Sequence, residues 1–311
     1  MERSFDTFSE ATKQWICQQL QPIADNTQIV MLEQLPGGIS SHIYGVTLRA
    51  NDELIRLVMR QIDDEDWLNE QPDAALQEAS ALQICEKWQI AAPQIIACDA
   101  AGEHCGKPSV LMTRLEGTPL LQPRQMDDWL GQLAAAAAGV HQAEPPSSYW
   151  TYKTYQNIPH FTAPAWSKQQ EQWHKLLQRL KQPAPSVASC FIHRDFHPAN
   201  VLWSDEKITG IVDWTSGCIG PAGIDIGHCR INLVMLHGVA AADRFLHEYK
   251  LVSGNSFVYD PYWDILSLID MLFGPPEVYQ GWVALGITHL TDEMMVERIE
   301  AYTVSLADKL N

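Results

Sequence analysis

The chain is 311 residues long, 46% hydrophobic, with 11 Trp and a formal charge of −17. That supply of apolar side chains excludes disorder as the main state and suits one two-lobed domain or two small ones. An acidic surface repels the phosphates of nucleic acid and of anionic membranes, so neither is expected as a partner, while the same field either draws cationic small molecules or serves solubility alone.

No run of 18 apolar residues occurs, and the start Met1–Asp6 lacks the basic, apolar and small-residue order of a signal peptide, so a cytoplasmic protein is expected. Seven cysteines form no C-x-x-C pair and are odd in number, which predicts buried thiols rather than a disulfide framework or a zinc site. Cys98, His104 and Cys105 are explained by a turn around Gly102.

In chain order, apolar periodicity predicts a helix over residues 8–21 and a strand over Ile29–Leu32. Between this strand and the next hairpin lie Gly37, Gly38, Ser40 and Ser41. Glycines let the backbone approach a ligand closely, and the serines offer hydroxyl and amide donors to phosphate oxygens; the ordinary alternative is a hairpin turn. Ile43–Leu48 and Leu54–Arg60, turned at Asn51-Asp52, read as a hairpin with Ile55, Leu57 and Met59 on one face and Arg56, Val58 and Arg60 on the other. A helix is expected from Pro72 to Trp88, with Ala75, Glu78, Leu82 and Cys85 on one stripe. A carboxylate among apolar neighbours needs a cation, unless it turns out to water at the stripe's edge.

Pro93–Cys98 and Ser109–Thr113 read as the last strands of a small sheet, and Arg114–Pro119 breaks the pattern as a connection between lobes would. Met126, Trp129, Leu130, Leu133, Ala137, Val140 and His141 form a helical stripe, on which His141 reads as a core or end-of-helix residue. Residues 145–165 have no period and read as a lid, a binding loop or a surface connection; Trp166–Leu180 reads as a helix.

Cys190–Ile192, Val201–Trp203 and Ile208–Val212 are short apolar runs predicted as strands. The loop between the first two carries His193, Arg194, Asp195 and Asn200, and Ser204–Lys207 turns a hairpin that ends at Asp213, so the spacing predicts that Asp195, Asn200 and Asp213 converge. Each alone is an ordinary turn former; together they supply a carboxylate for a hydroxyl proton and hard oxygen ligands for Mg²⁺, as phosphoryl transfer requires. Helices are expected to about His237, with Asp225 as a cap, and over residues 240–250, 261–273 and 292–309. His228 and Cys229 read as packing residues. Asp260, Asp264, Asp270 and Glu277 are candidate contacts for a cationic ligand, or solvated faces.

Phe191–Leu233, with Gly220-Pro-Ala-Gly-Ile-Asp225, resembles the aminoglycoside phosphotransferase and choline kinase superfamily, small-molecule kinases with a protein-kinase-like fold. The resemblance implies an α+β, two-lobed fold: a small antiparallel sheet lobe over residues 1–113, a hinge at 114–119, and a larger, mainly helical lobe over 120–311. It makes Asp195 the catalytic base, Asn200 and Asp213 the magnesium ligands, and Asp225 a carboxylate holding the loop at His193. It also implies a purine contacting the backbone near Met112 and Arg114, with Val58 over the base. Arg60, or its rival Arg56, would stand at the phosphates where kinases carry lysine, and Glu78 would be the partner of Arg60. Trp214 stands where protein kinases carry Phe-Gly, which favours the small-molecule branch.

The implied reaction is transfer of the γ-phosphoryl group of ATP or GTP, with Mg²⁺, to a hydroxyl of a small molecule that is aminoglycoside-, choline- or macrolide-like. Two alternatives stand beside it: a nucleotide-binding regulatory protein of the same fold with weak turnover, and a metal-dependent hydrolase using Asp195, His197 and Asp213.

Overall fold

The computed structural model describes residues 8–21, 27–35, 41–51 and 53–310. Its chain forms two compact units, one of residues 1–116 with 210–216 and one of residues 117–209 with 217–311.

In the first unit, α1 (Glu10–Leu20) starts at Ser9, whose hydroxyl accepts the Thr12 N–H at 3.1 Å and so satisfies one of the donors a helix start leaves open. The strands β1 (Gln28–Gln34), β2 (Ser41–Ala50) and β3 (Glu53–Ile62) come next. After them are two helices, α2 (Glu65–Glu70) and α3 (Ala74–Lys87), and two further strands, β4 (Ile95–Asp99) and β5 (Ser109–Thr113). The five strands form one antiparallel sheet in the order β1-β2-β3-β5-β4.

Alternation along β3 sends Leu57 and Met59 into a core with Trp15 and Ile16 of α1 and Leu48 and Leu111 of the sheet. Each such side chain contributes about 1.5–3 kcal/mol when fully buried. Arg60 points to the other face, where α3 supplies Glu78. Short α2 has no buried residue and therefore no apolar period to read; it is held by its cap, the Asp64 carboxylate accepting the Trp67 N–H at 2.9 Å. The turn at Gly102 (φ 72°) is built on Asp99, whose carboxylate accepts the backbone N–H groups of Glu103, His104 and Cys105 at 3.0, 2.9 and 2.8 Å.

The second unit contains β6 (Thr118–Pro119), α4 (Met126–Val140), α5 (Gln170–Leu180), β7 (Ser189–Ile192) and β8 (Val201–Ser204). β9 (Lys207–Ile211) starts in it and carries the chain into residues 210–216 of the first unit; β10 (Cys218–Pro221) and α6 (Ala222–His237) follow on its return. The chain finishes through α7 (Val239–Ser253), α8 (Pro261–Met271), α9 (Gln280–Ala284) and α10 (Asp292–Asp308).

α6 is apolar and buried on nearly every face, as a central helix must be. It approaches α8 closely because two glycines face it: a Cβ on Gly223 would fall 2.3 Å from Trp263 Cδ1, and one on Gly227 2.5 Å from Ser267 Oγ. The cap position of α6 is held by Pro221, so Asp225 sits inside the first turn and not at the start expected of it. α5 begins at Gln170 because Ser167 is drawn aside: its hydroxyl accepts the Trp173 Nε1–H at 3.0 Å and donates to Glu300 Oε1 at 2.6 Å.

β7 and β10 pair antiparallel, and the segment near 151 adds to their edge, with the Tyr152 N–H donating to Ile219 O at 2.8 Å and the Ile219 N–H to Trp150 O at 2.7 Å. This stretch of the aperiodic 145–165 segment is thus a fixed strap. It was invisible to periodicity because only three residues take part.

Candidate functional site

The loop after β7 is held at its root by Asp225, which is fully buried. Its carboxylate accepts the His193 N–H at 2.8 Å and the Arg194 N–H at 2.6 Å, and His141 Nε2 lies 3.1 Å away. Arg194 takes φ 69°, a left-handed conformation uncommon for a residue with a side chain. Its guanidinium donates to Lys153 O at 2.6 Å and stacks on the rings of Tyr155 and Tyr152, 4.0 and 5.5 Å from their centroids. The strap and the loop therefore hold each other in place.

Asp195 follows on this loop. Asn200 Nδ2 donates to its Oδ2 at 3.0 Å and to its backbone carbonyl at 2.9 Å. His228 Nε2 of α6 lies 2.9 Å from Oδ1, and His197 Nε2 lies 3.7 Å from the same oxygen. Burial alone would push this carboxyl up, but the imidazoles of His197, His228 and His193 outweigh it and hold the group well below the usual carboxylate range. Asp195 is therefore an anion at neutral pH. His193 is buried, with Nδ1 accepting the Asp195 N–H at 3.3 Å.

In the first unit, Arg60 is the centre of a second constellation. Its Nε lies 3.0 Å from Glu78 Oε2 and its Nη2 3.2 Å from Asp213 Oδ1, while Nη1 donates to the Ser41 hydroxyl at 2.9 Å. Burial pushes Glu78 up to about 7, the Arg60 charge opposing that rise and the Asp213 carboxylate adding to it. Asp213 also takes a left-handed φ of 67°, and its Oδ1 accepts the Thr215 hydroxyl at 3.0 Å. Trp214 anchors this turn: it is fully buried, and its Nε1–H donates to Ile211 O at 2.9 Å.

Gly37, Gly38 and Ser40 lie outside the described residues. Ser41 is the first residue of β2, with its hydroxyl on Arg60. Val58 stands on β3 between Gly45 and Met112 of the neighbouring strands, and Arg56 is exposed. The Arg114 N–H donates to Arg56 O at 3.1 Å and its guanidinium pairs with Glu33.

Three of the four candidate carboxylates of the late helices are engaged internally. Asp260 caps α8 and pairs with Arg179 at 3.1 Å, and Asp264 pairs with the buried Arg230. Asp270 accepts the hydroxyls of Tyr152 and Thr154 at 3.0 and 2.6 Å; Glu277 alone of the four is exposed.

Two histidines read as packing residues are polar partners of the site: His141 on Asp225 and His228 on Asp195. The available signal for the second was helical spacing, since 225 and 228 share one face of α6, and a face that holds the loop's backbone also meets its side chains.

The family model described as "Phosphotransferase enzyme family" matches residues 32–269. Among solved structures, a protein of Ralstonia eutropha JMP134, provisionally named an aminoglycoside phosphotransferase, is 15% identical with a TM-score of 0.60, over 97% of this chain and 98% of that one. A thermostable mutant of aminoglycoside phosphotransferase APH(4)-Ia, in a ternary complex with ADP and hygromycin B, is 12% identical with a TM-score of 0.55, over 96% and 97%. Macrolide 2′-phosphotransferase MphH from Brachybacterium faecium is 17% identical with a TM-score of 0.50, over 86% and 91%. No curated protein matches.

Proposed function

The chain belongs to the phosphotransferase enzyme family, and on that premise we propose that it transfers the γ-phosphoryl group of ATP or GTP to a hydroxyl of a small molecule. The observation that carries this reading is the Asp195 carboxylate, an anion held by Asn200 five residues on and mounted on a loop braced by the buried Asp225.

In the proposed step the acceptor hydroxyl gives its proton to Asp195 as its oxygen bonds to the γ-phosphorus. The bond to the bridging oxygen breaks, and the nucleoside diphosphate leaves with the electron pair. A base with a depressed pKa is consistent with a transition state in which bond breaking leads and the proton moves late. Arg60, oriented by Glu78 and Ser41, is the proposed cation for the phosphates; Val58, Met112, Arg114 and the glycine loop at 37–38 with Ser40 complete the proposed nucleotide contacts.

Mg²⁺ is the proposed metal, with Asn200 and Asp213 as its protein ligands. The donors fit: because Asn200 Nδ2 donates to Asp195, the amide presents its oxygen as the remaining donor, and Asp213 is a carboxylate, the hard oxygen ligands this ion prefers. Bound there, the ion would offset charge on the transferring phosphoryl group.

The test is Mg²⁺-dependent nucleotide turnover across a panel of amines, aminoglycosides, macrolides and sugars. Asp195→Asn is expected to lower kcat by about 10²–10⁴-fold while nucleotide affinity stays near wild type. Wild-type turnover in that variant removes Asp195 from the role.

A further inference from the structure

Asp195 is half-exposed on its loop, with 42% of the side chain accessible. A carboxylate so placed rotates about its Cβ–Cγ bond unless both oxygens are held, and misplacement of a reacting group by about 1 Å is enough to lower rates about 10²-fold. Asn200 holds Oδ2; the donor on Oδ1 is His228 Nε2, at 2.9 Å.

His228 is well suited to this. It stands on α6, the most deeply buried helix of its unit, three residues after the Asp225 that binds the backbone N–H groups of His193 and Arg194. One helical turn thus fixes both the loop's main chain and the plane of its working carboxylate. His197 packs edge-on against His228, ring centroids 5.6 Å apart at 64°, and is nearly buried, so the imidazole is supported from the loop side too. A carboxylate accepts only, so the nitrogen facing it carries the proton in either the neutral or the charged imidazole.

We propose that His228 is a positioning residue for phosphoryl transfer: its Nε2–H fixes the Asp195 carboxylate so that the acceptor hydroxyl meets a base already oriented. This rests on the reading of Asp195 as the base. His228 touches neither nucleotide nor acceptor in this role; it acts through Asp195.

The test compares His228→Leu, His228→Gln and His228→Asn with wild type and Asp195→Asn, using Mg·ATP with water as the acceptor and ADP formation as the readout. Gln places an amide N–H near the position of Nε2, Asn falls short of Oδ1, and Leu fills the space without a donor. A hydrogen bond to a charged group is worth enough for Leu and Asn to lower kcat about ten- to a hundredfold, with KM for ATP unchanged, and for Gln to recover most of it. A purely structural role would instead make all three variants lose activity alike, tracking their melting temperatures.

Equal kcat in Gln and Asn overturns the proposal, as does wild-type kcat in Leu; if Leu is unstable, the Gln and Asn pair carries the comparison alone. Turnover that depends on Asp195 but not on His228 rejects the positioning role only. Turnover unaffected by Asp195→Asn rejects the phosphotransferase reading of Asp195 itself.

Discussion

Replacing Arg60 with Leu removes the cation that Glu78 faces at 3.0 Å, together with the Asp213 contact at 3.2 Å and the donor on Ser41. Glu78 is 1% exposed, so it has no route to water. Breaking one side of a buried ion pair costs about 3–5 kcal/mol, because the remaining charge is left uncompensated. Here the remaining charge can be removed by a proton.

With Arg60 present, burial places the Glu78 pKa at about 7, above its ordinary 4.5. The folded state therefore holds that proton more tightly than the unfolded chain, and the resulting stability is full below the ordinary value and is lost as pH rises toward 7. At pH 8 the wild type ionises Glu78 beside Arg60 and gains about 1.4 kcal/mol over the protonated form, since one unit above the pKa is worth about 1.36 kcal/mol; at pH 6 the gain is close to zero. Without Arg60 the pKa rises further and this gain disappears.

Arg60→Leu is thus expected to cost about 3–5 kcal/mol at pH 8 and about 1.4 kcal/mol less at pH 6, measured by urea unfolding of both proteins at the two pH values. An equal loss at both pH values refutes the claim that Glu78 titrates beside Arg60. A loss under about 1 kcal/mol refutes the pair's structural role.

Asp225→Ala leaves the N–H groups of His193 and Arg194 and the ring of His141 without their acceptor, in a buried place. It is expected to lower stability by about 3–5 kcal/mol and to expose the 193–200 amides to hydrogen exchange; retained protection there contradicts the bracing role. Asp99→Ala removes the acceptor of three backbone N–H groups, and a loss of about 1–3 kcal/mol is expected by urea unfolding. These N–H groups outweigh burial and lower the Asp99 pKa, so its contribution is present above the ordinary 3.8 and fades as pH falls through the depressed value. The variant should therefore differ less from wild type in strong acid than at pH 6, and an unchanged difference counts against the assignment.

What the sequence made legible was local. Asp195 and Asn200 are five positions apart on one loop, and the strand runs on either side fixed where that loop lay; β5 spans the predicted Ser109–Thr113. The Arg60–Glu78 contact was reachable because strand alternation and a helical stripe each nominated one residue. The partner of His141 was not legible, and that of His228 only through its spacing from Asp225, since a lone histidine on an apolar helix looks the same whether it packs or hydrogen-bonds. What distinguishes the cases is the approach of α6 to a loop some thirty residues earlier, Asp225 and His193 being 32 apart. The same limit applies to Pro221 replacing Asp225 as the cap of α6: the carboxylate's better use was a set of main-chain donors that no window around it contains.

Most of the candidate carboxylates of the late helices already have partners within the protein. A net charge of −17 biased the expectation toward a cationic ligand, and Asp260, Asp264, Asp270 and Glu277 were the candidate contacts. The three aspartates are committed, to Arg179 and the start of α8, to Arg230 and Tyr259, and to the strap through Tyr152 and Thr154, while Glu277 is exposed. A carboxylate already held by hydrogen bonds is constrained in how it can turn to an ammonium, so the gain is small; the diffuse field remains, and that governs association rate more than selectivity. Asp270 should then act through the strap. Asp270→Asn is expected to raise KM for neutral and cationic acceptors alike by a similar factor, with the salt dependence of kcat/KM for the cationic one nearly unchanged. A selective loss of cationic acceptors would show that Asp270 reads their charge directly and that the strap contacts are incidental.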